Sequence, residues 1–187
     1  HKIYVDMTVD TQPMILPLYD GKLELVQFAV LQMDEVIELT SDGENTDSGL
    51  AKGFAYYGNL SPHKPIFITY EIEAFFKIAQ AGYAVVLVVL PNLCKSKKLE
   101  LKPRDCKQIQ FVIHELSNAG YEQIYMPIRP EHKLLRGLNM QAPFRVIEQF
   151  TQDEAIDLSQ YDDARDVKLF LDDAIQRLPA PIYEWGN

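Results

Sequence analysis

The residues best suited to chemistry lie in one basic stretch near the middle of the chain. Between positions 92 and 107, six lysine and arginine residues stand against two acidic ones, Glu100 and Asp105. Such a run is typical either of a solvated surface loop or of a site for a phosphorylated small molecule. A helix is predicted to begin inside the stretch at Cys106, and helix N-termini favour anions. The stretch is therefore the candidate binding site.

Two other kinds of site are less well supported by the residues. Cys106, beside Lys107 at a helix N-terminus, could have a lowered pKa and act as a nucleophile. No His–Asn pairing that would activate it is recognisable, so this is the minor hypothesis. The four histidines have no HxxxH or HxH spacing, and no metal site is predicted. The GxSxG, P-loop and Rossmann glycine patterns are also missing, which argues against serine hydrolases, NTPases and classical dinucleotide-dependent dehydrogenases.

The composition indicates one globular domain with a substantial core. The chain has 187 residues, of which 47% are hydrophobic and 24% are charged. The net charge of −9 argues against a general nucleic-acid binder, because phosphate contacts need clustered lysine and arginine. No apolar run approaches the roughly 18 residues of a membrane span. Two cysteines without CxxC spacing suit a reducing compartment. We therefore expect a cytoplasmic protein that binds neither nucleic acid nor membrane.

The acidic excess is concentrated near the end of the chain. Residues 151–187 contain nine acidic and three basic side chains. The predicted helix over 162–178 carries several of these acids, and acids in its first turn suit the helix dipole. The region predicts an acidic surface that could engage a basic protein partner.

Hydrophobic periodicity predicts strands and helices that alternate along most of the chain. Strands are predicted over 3–9, 66–68, 83–90, 98–102, 121–128 and 144–150. The residue types within 23–39 favour strands with a tight connection at 33–35, with a helix as the alternative. Helices are predicted over 71–80, over 106–118 with Asp105 as its N-cap, over 131–140 and over 162–178. The segment 40–65 is expected to be a long loop that shapes the acceptor site or covers the core. For Phe54, Tyr56 and Tyr57, burial over the core is the simpler interpretation.

These elements predict a single α/β domain, with a mixed sheet and helices on both faces. Residues 1–65 would supply strands and the long loop, 66–150 the alternating part, and 151–187 the acidic C-terminal helix. The strand over 83–90 is so apolar that it should be central and covered on both faces.

From about Gly82 onward, the order of elements resembles the C-terminal half of the acyl-CoA N-acyltransferase (GNAT) superfamily. The likeness covers about 70 of the 187 residues. In it, 98–104 corresponds to a strand, 105–108 to the phosphate-binding loop, 109–116 to a helix, 121–131 to a strand and 134–142 to a short helix. Pro143-Phe144 stands where the family has Gly-Phe before its last strand. The family's glycine-containing loop motif is missing, since no glycine lies between Gly82 and Gly120.

The resemblance implies a GNAT-like fold and a CoA-dependent N-acyltransferase that moves an acyl group from acetyl-CoA to an amine of a small molecule or protein. It implies cofactor contacts from Leu101, Lys102, Arg104, Cys106, Lys107 and Gln108, with the basic side chains clamping the phosphates. Glu100 would be the base, although an outward-facing strand residue is the simpler interpretation. Tyr125 would be the acid, because Asn139 stands where the family has its tyrosine.

A second hypothesis does not require catalysis. The glycine-free loop would then mark lost cofactor binding in a GNAT-like or other α/β protein. Such a chain would engage a basic protein partner through its acidic surface, as an immunity protein or a phage-encoded inhibitor does.

Overall fold

The computed structural model describes residues 4–5, 14–32, 35–41, 44–45, 51–90, 101–128, 144–148, 158 and 161–178. In these ranges the strands are β1 (Tyr4–Val5), β2 (Met14–Tyr19), β3 (Leu25–Gln32), β4 (Glu35–Ser41), β5 (Glu44–Asn45), β6 (Ala55–Tyr57), β7 (Ile66–Thr69), β8 (Ala84–Leu87), β9 (Ile124–Ile128) and β10 (Phe144–Glu148). The helices are α1 (Ile72–Gln80), α2 (Pro103–Asn118) and α3 (Ala164–Arg177).

Sheet A is an antiparallel meander in which β1 to β5 pair in chain order. Its inner face is apolar because Leu16, Leu18, Ala29 and Leu31 alternate with more exposed neighbours and are all buried. The tight connection predicted near 33–35 is confirmed, since β3 and β4 pair up to Gln32↔Glu35.

Sheet B has the strand order β10-β9-β7-β8-β6. β7, β8, β9 and β10 are parallel, and β6 pairs antiparallel with β8. The predicted α/β class and mixed sheet are confirmed. The connection through α1 runs from β7 to β8 toward one end of the sheet. The connection through α2 runs from β8 to β9 toward the other end. Right-handed connections therefore place these two helices on opposite faces.

β8 is a central strand, as its sequence predicts. It lies between β7 and β6, and all four of its residues are buried. The inward stripe of α2, Ile109, Val112 and Leu116, is fully buried as well. Helix α1 ends at Gln80 with Ala81 as its C-cap, and Gly82 follows with a left-handed φ of 89°, which costs glycine little. These elements form one continuous core.

The segment 40–65 is not a single long loop. β4 continues to Ser41, and β6 adds an edge strand to sheet B. Phe54 is fully buried and joins the sheets, since its amide and carbonyl bond the carbonyl and amide of Tyr19 at 3.0 and 2.8 Å. Tyr57 is 49% exposed, so only part of the aromatic group covers the core.

The start of α2 also differs from the prediction. The helix begins at Pro103, three residues before Cys106, and Lys102 is its N-cap. Proline suits this first position because its missing N–H would have no helical partner there. Leu101 and Lys102 lie in no strand. The rest of the strand predicted over 98–102, and the helix predicted over 131–140, fall outside the described residues.

Candidate functional site

The parallel part of sheet B contains a topological switch point. Chain connections run from β7 to β8 on one side, and then back past β7 to β9 on the other. In open α/β sheets, ligands bind outside the carboxyl ends of the strands at such a point. The carboxyl edge beside β7 and β9 is therefore the candidate site.

One polar residue ends β7 at this edge, and a second lies just after the strand. The hydroxyl of Thr69 accepts a hydrogen bond from the Glu71 N–H at 3.1 Å, and the Thr69 carbonyl accepts one from Val88 at 2.8 Å. Glu71 is half-buried and immediately precedes α1. Sequence reasoning missed Thr69 and Glu71 as site residues. The available signal was the position of polar residues directly after the apolar run Ile66–Ile68.

The predicted basic site begins at the same edge, on the opposite face from α1. Helix α2 has 16 residues and so a length of about 24 Å. Its C-terminal end leads through Tyr121 into β9 at the amino edge, so its N-terminal end lies toward the carboxyl edge. Lys102, Arg104 and Lys107 are all exposed there. The edge thus carries positive side chains at the start of α2 and the carboxylate of Glu71 before α1.

The side chain of Asp105 lies in the first turn of α2 and bonds its N-cap residue. It is buried, and its Oδ2 accepts a hydrogen bond from the Lys102 N–H at 2.8 Å. Within the described ranges, the Asp105 Oδ1 has no hydrogen-bond partner, and the Arg104 Nε lies 3.9 Å from it. The amides of Lys102, Asp105 and Cys106 already donate hydrogen bonds, and Pro103 has none to offer. An anion here would therefore be held mainly by side chains.

The residues predicted as a phosphate-binding loop, 105–108, are helical instead. Gln108 is buried, and its Nε2 donates to the Ala51 carbonyl at 2.6 Å. Leu101 is 5% exposed and belongs to the core. These two predicted cofactor residues hold the fold together, which leaves the three exposed basic side chains and Cys106 to face a ligand.

Cys106 does not have the lowered pKa that its position suggested. Its side chain is half-buried, and burial followed by the charge of Asp105 raises the pKa of the thiol. Both causes disfavour the thiolate, which is the reactive form. The raised pKa argues against the minor hypothesis of an activated thiol.

The raised pKa of Cys106 can be measured by alkylation. In a Cys94→Ser variant, in which Cys106 is the only thiol, we expect the rate of reaction with iodoacetamide to rise with pH around a higher midpoint in the folded protein than in urea. Asp105→Asn removes the second cause and should lower the midpoint of the folded protein. An equal or lower midpoint in the folded protein would contradict the assignment.

Glu100 and Tyr125 are the predicted catalytic pair, and no described contact joins either of them to the basic side chains. Tyr125 is the second residue of β9, and its ring lies 5.8 Å from that of Phe67. Phe67 in turn contacts the ring of Tyr83 at 4.9 Å. Tyr125 therefore lies in an aromatic group toward the amino half of the sheet. Glu100 lies outside the described residues.

A second group of titratable side chains fastens α3 to the sheet. The Tyr83 hydroxyl donates to Asp172, and Lys168 Nζ contacts the Asp172 Oδ2 at 2.8 Å and the Tyr83 oxygen at 3.3 Å. Burial and the bond to Asp172 raise the pKa of Tyr83, whereas the bond from Lys168 lowers the pKa of Asp172. The three groups satisfy one another, so their role is to anchor the helix.

The described part of the chain defines a mixed α/β protein with two sheets, three helices and a switch-point edge. Among the described residues, no group of three or more His, Cys, Asp or Glu could hold a metal, and no helix is long and apolar enough to cross a membrane. No family model matches the chain, and neither a curated protein nor a solved structure matches it. The GNAT-like arrangement stays a prediction.

Proposed function

We propose that the carboxyl edge of sheet B binds acetyl-CoA and that the chain transfers its acetyl group to an amine. The observation that carries the proposal is the presence of Lys102, Arg104 and Lys107 as exposed side chains at the start of α2, at the edge where the sheet has its switch point. Lysine and arginine side chains bind phosphate groups by charge-assisted hydrogen bonds. The resemblance supplies the reaction, and the charged edge supports its cofactor.

The opposite face of the edge suits the second substrate. Glu71 stands at the start of α1, and its carboxylate could hold an ammonium group and take one of its protons. The freed amine would attack the thioester carbonyl, forming the C–N bond and breaking the C–S bond. The leaving thiolate would take up the second proton that the nitrogen loses. The resemblance implies Glu100 as the base and Tyr125 as the acid, and both roles stay predictions. Because Tyr125 lies toward the amino half of the sheet, the proton that the thiolate takes up at this edge is not assigned to it.

Calorimetric titration with acetyl-CoA tests the proposal. We expect binding that weakens as salt rises, and a loss of about 5- to 10-fold in affinity, or ~1 kcal/mol, for Lys102→Ala and Arg104→Ala. Asp105→Asn keeps an oxygen for the Lys102 N–H and removes a negative charge, so it should strengthen binding. Lys64→Ala is the matched control, because Lys64 is exposed in the turn before β7, at the amino edge.

The second candidate function is a non-catalytic protein that engages a basic partner. The buried carboxylate of Asp105 at the start of α2 favours it, because this charge opposes a bound phosphate. Undetectable binding at millimolar acetyl-CoA would contradict the transferase and leave this candidate. Its acidic surface includes Asp162 and Asp166, which are exposed. Asp163 is a poor site for its test, because its Oδ1 caps α3 by accepting from the Arg165 N–H at 2.7 Å.

A further inference from the structure

The solvent-facing side of α3 combines acidic side chains with an exposed leucine. Helix α3 packs against α1, and its buried residues are Val167 and Leu171. On the other side, Asp166 and Leu169 are exposed, and the exposed Asp162 lies just before the N-cap. Leu169 is 67% exposed, more than any other large hydrophobic side chain in the described ranges. A single such residue is ordinary on a protein surface, so its meaning depends on what can meet it. We call Asp162, Asp166 and Leu169 the α3 stripe.

The solvent-facing side of α2 has the opposite charge and a similar layout. Arg104, Lys107 and Phe111 recur at spacings of three and four residues, which places them on one side of the helix. All three are exposed, Phe111 by 40%, whereas Ile109 and Val112 are fully buried. We call Arg104, Lys107 and Phe111 the α2 stripe. Each stripe thus has two like charges followed by an apolar side chain, and the charges of the two stripes are opposite in sign.

The two stripes match when the helices are parallel and Leu169 lies against Phe111. Lys107 then lies four residues before the contact and Asp166 three, an axial offset of about 1.5 Å. At about 100° per residue, Lys107 lies about 40° around its helix from the contact in one sense, and Asp166 about 60° in the other. Parallel helices that face each other turn these two positions toward the same flank, where they form an ion pair. The exposed Arg165 turns toward the opposite flank.

The charges at the ends of the stripes favour the parallel direction. Arg104 and Asp162 each lie seven residues before the apolar contact, so parallel packing brings these opposite charges together. Antiparallel packing would instead bring Arg104 toward Arg177. It would also bring Lys107 toward Asp173, whose Oδ2 already bonds Arg177 at 2.8 Å. Only the parallel direction therefore pairs each charge of the α2 stripe with an acid that has no ion-pair partner among the described residues.

One copy of the chain does not bring its own two stripes together. Helix α3 packs against α1, and α1 lies on the opposite face of sheet B from α2. The matched contact therefore needs two copies. Because it joins two different surfaces, it is heterologous, and each added copy leaves a free stripe for the next.

We propose that the α2 stripe of one copy binds the α3 stripe of a second copy, so that the chain self-associates head to tail. The inference goes beyond the proposed function. Arg104 and Lys107 also belong to the proposed cofactor site, so a copy seated on them excludes acetyl-CoA. One helix pair buries less than the roughly 1,200 Å² of a stable interface, and the net charge of −9 opposes association. We therefore expect a dissociation constant on the order of 100 μM.

Sedimentation velocity without acetyl-CoA measures the association, over protein concentrations from about 10 μM to 1 mM. We expect the wild type to form species larger than a dimer as its concentration rises. Lys107→Glu and Asp166→Lys each place like charges in the contact, and each should weaken association about 10-fold or more. Arg104 is left unchanged because its Nε lies 3.9 Å from the buried Asp105.

An equimolar mixture of the two variants tests the pairing directly. In the mixture each reversed side chain of one variant can meet a side chain of opposite charge in the other, so association should return to within about threefold of the wild type. Leu169→Ala removes only exposed apolar atoms and should also weaken association, which keeps the inference testable if a charge reversal unfolds the chain.

Two control variants make the same charge changes elsewhere on the surface. Lys64→Glu matches Lys107→Glu, and Glu24→Lys matches Asp166→Lys, and the native residues at positions 24 and 64 are both exposed. Both controls should leave the association constant within about twofold of the wild type. Circular dichroism compares the folding of all the variants.

Four outcomes would each overturn the inference. They are a wild type that stays monomeric at the highest concentration, an assembly that stops at a dimer, equal weakening by the control variants, and a mixture that does not recover. Loss with Lys107→Glu and none with Asp166→Lys would also overturn it, because the α2 stripe would then meet another surface. Failure to bind acetyl-CoA would overturn the proposed function alone, because this experiment contains none.

Discussion

Replacing Phe67 by alanine is expected to lower the free energy of unfolding by about 3–5 kcal/mol. Phe67 is fully buried in β7, and its ring contacts those of Tyr83 and Tyr125 at 4.9 and 5.8 Å. Because β7 is the middle strand of sheet B, the core on either side has little freedom to close over the lost ring. Urea denaturation followed by circular dichroism measures the change.

Phe111→Ala is the matched control for this prediction. The same atoms are removed, but the Phe111 side chain is 40% exposed on α2, so much less apolar surface is lost from the interior. The expected cost is about 1 kcal/mol or less. Comparable costs for the two variants would contradict the assignment of Phe67 to the centre of the core.

Gly53→Ala is expected to destabilise the protein by about 1–3 kcal/mol through overpacking. A Cβ atom at this position would lie 2.5 Å from the Tyr19 carbonyl oxygen and 2.9 Å from Val26 Cγ2. The Tyr19 carbonyl belongs to the backbone of sheet A, so the clash is relieved only if sheet A moves away from the residues that precede β6. Hydrogen exchange should therefore accelerate most at the amides of Tyr19 and Phe54, whose mutual bonds join the two sheets.

Gly120→Ala separates this steric effect from the general cost of replacing glycine. Gly120 has a φ of 87°, and a Cβ there would meet nothing within 4 Å. The substitution should lower the free energy of unfolding by about 1–2 kcal/mol, which is the cost of a left-handed backbone for alanine. Exchange at the Tyr19 and Phe54 amides should then change no more than exchange at the other amides of the protein. Selective loss of protection at those amides in both variants would refute the close contact at Gly53.

Local patterns were sufficient for the long elements. The helices over 71–80 and 162–178 were predicted nearly to their ends, because their apolar residues recur at helical spacing and Gly82 and Pro179 follow them. The strand β8 was predicted equally well, because a short apolar, β-branched run flanked by Gly82 and Pro91 is typical of a buried strand. In such segments the hydrophobic pattern repeats at every helical turn or along the whole strand, so many residues support the same prediction.

Short elements and helix starts were predicted less well. β6 has three residues, too few for an alternation, and it is a strand because Ala55–Tyr57 pair with β8. Asp105 was predicted as an N-cap because aspartate is common there. It instead lies three residues into α2 and bonds back to the Lys102 amide. The same side chain can serve either position, and packing against the core decided between them.

The candidate site depended still more on the fold. Polar residues after a buried strand are visible in the sequence, but their neighbours across the sheet are not. β9 follows β8 in the chain and yet pairs with β7, which creates the switch point. Gln108 was predicted as a cofactor contact. Its side-chain amide instead donates to the carbonyl of Ala51, which is distant in sequence.

What the amino-acid order determined alone was the α/β class, the buried strands and the basic start of α2, because these depend on periodicity and charge among near neighbours. Tertiary structure alone decided the strand order and the burial of Asp105. Those features arise from contacts between segments distant in the chain, whose energies depend on which surfaces meet and not on any local pattern.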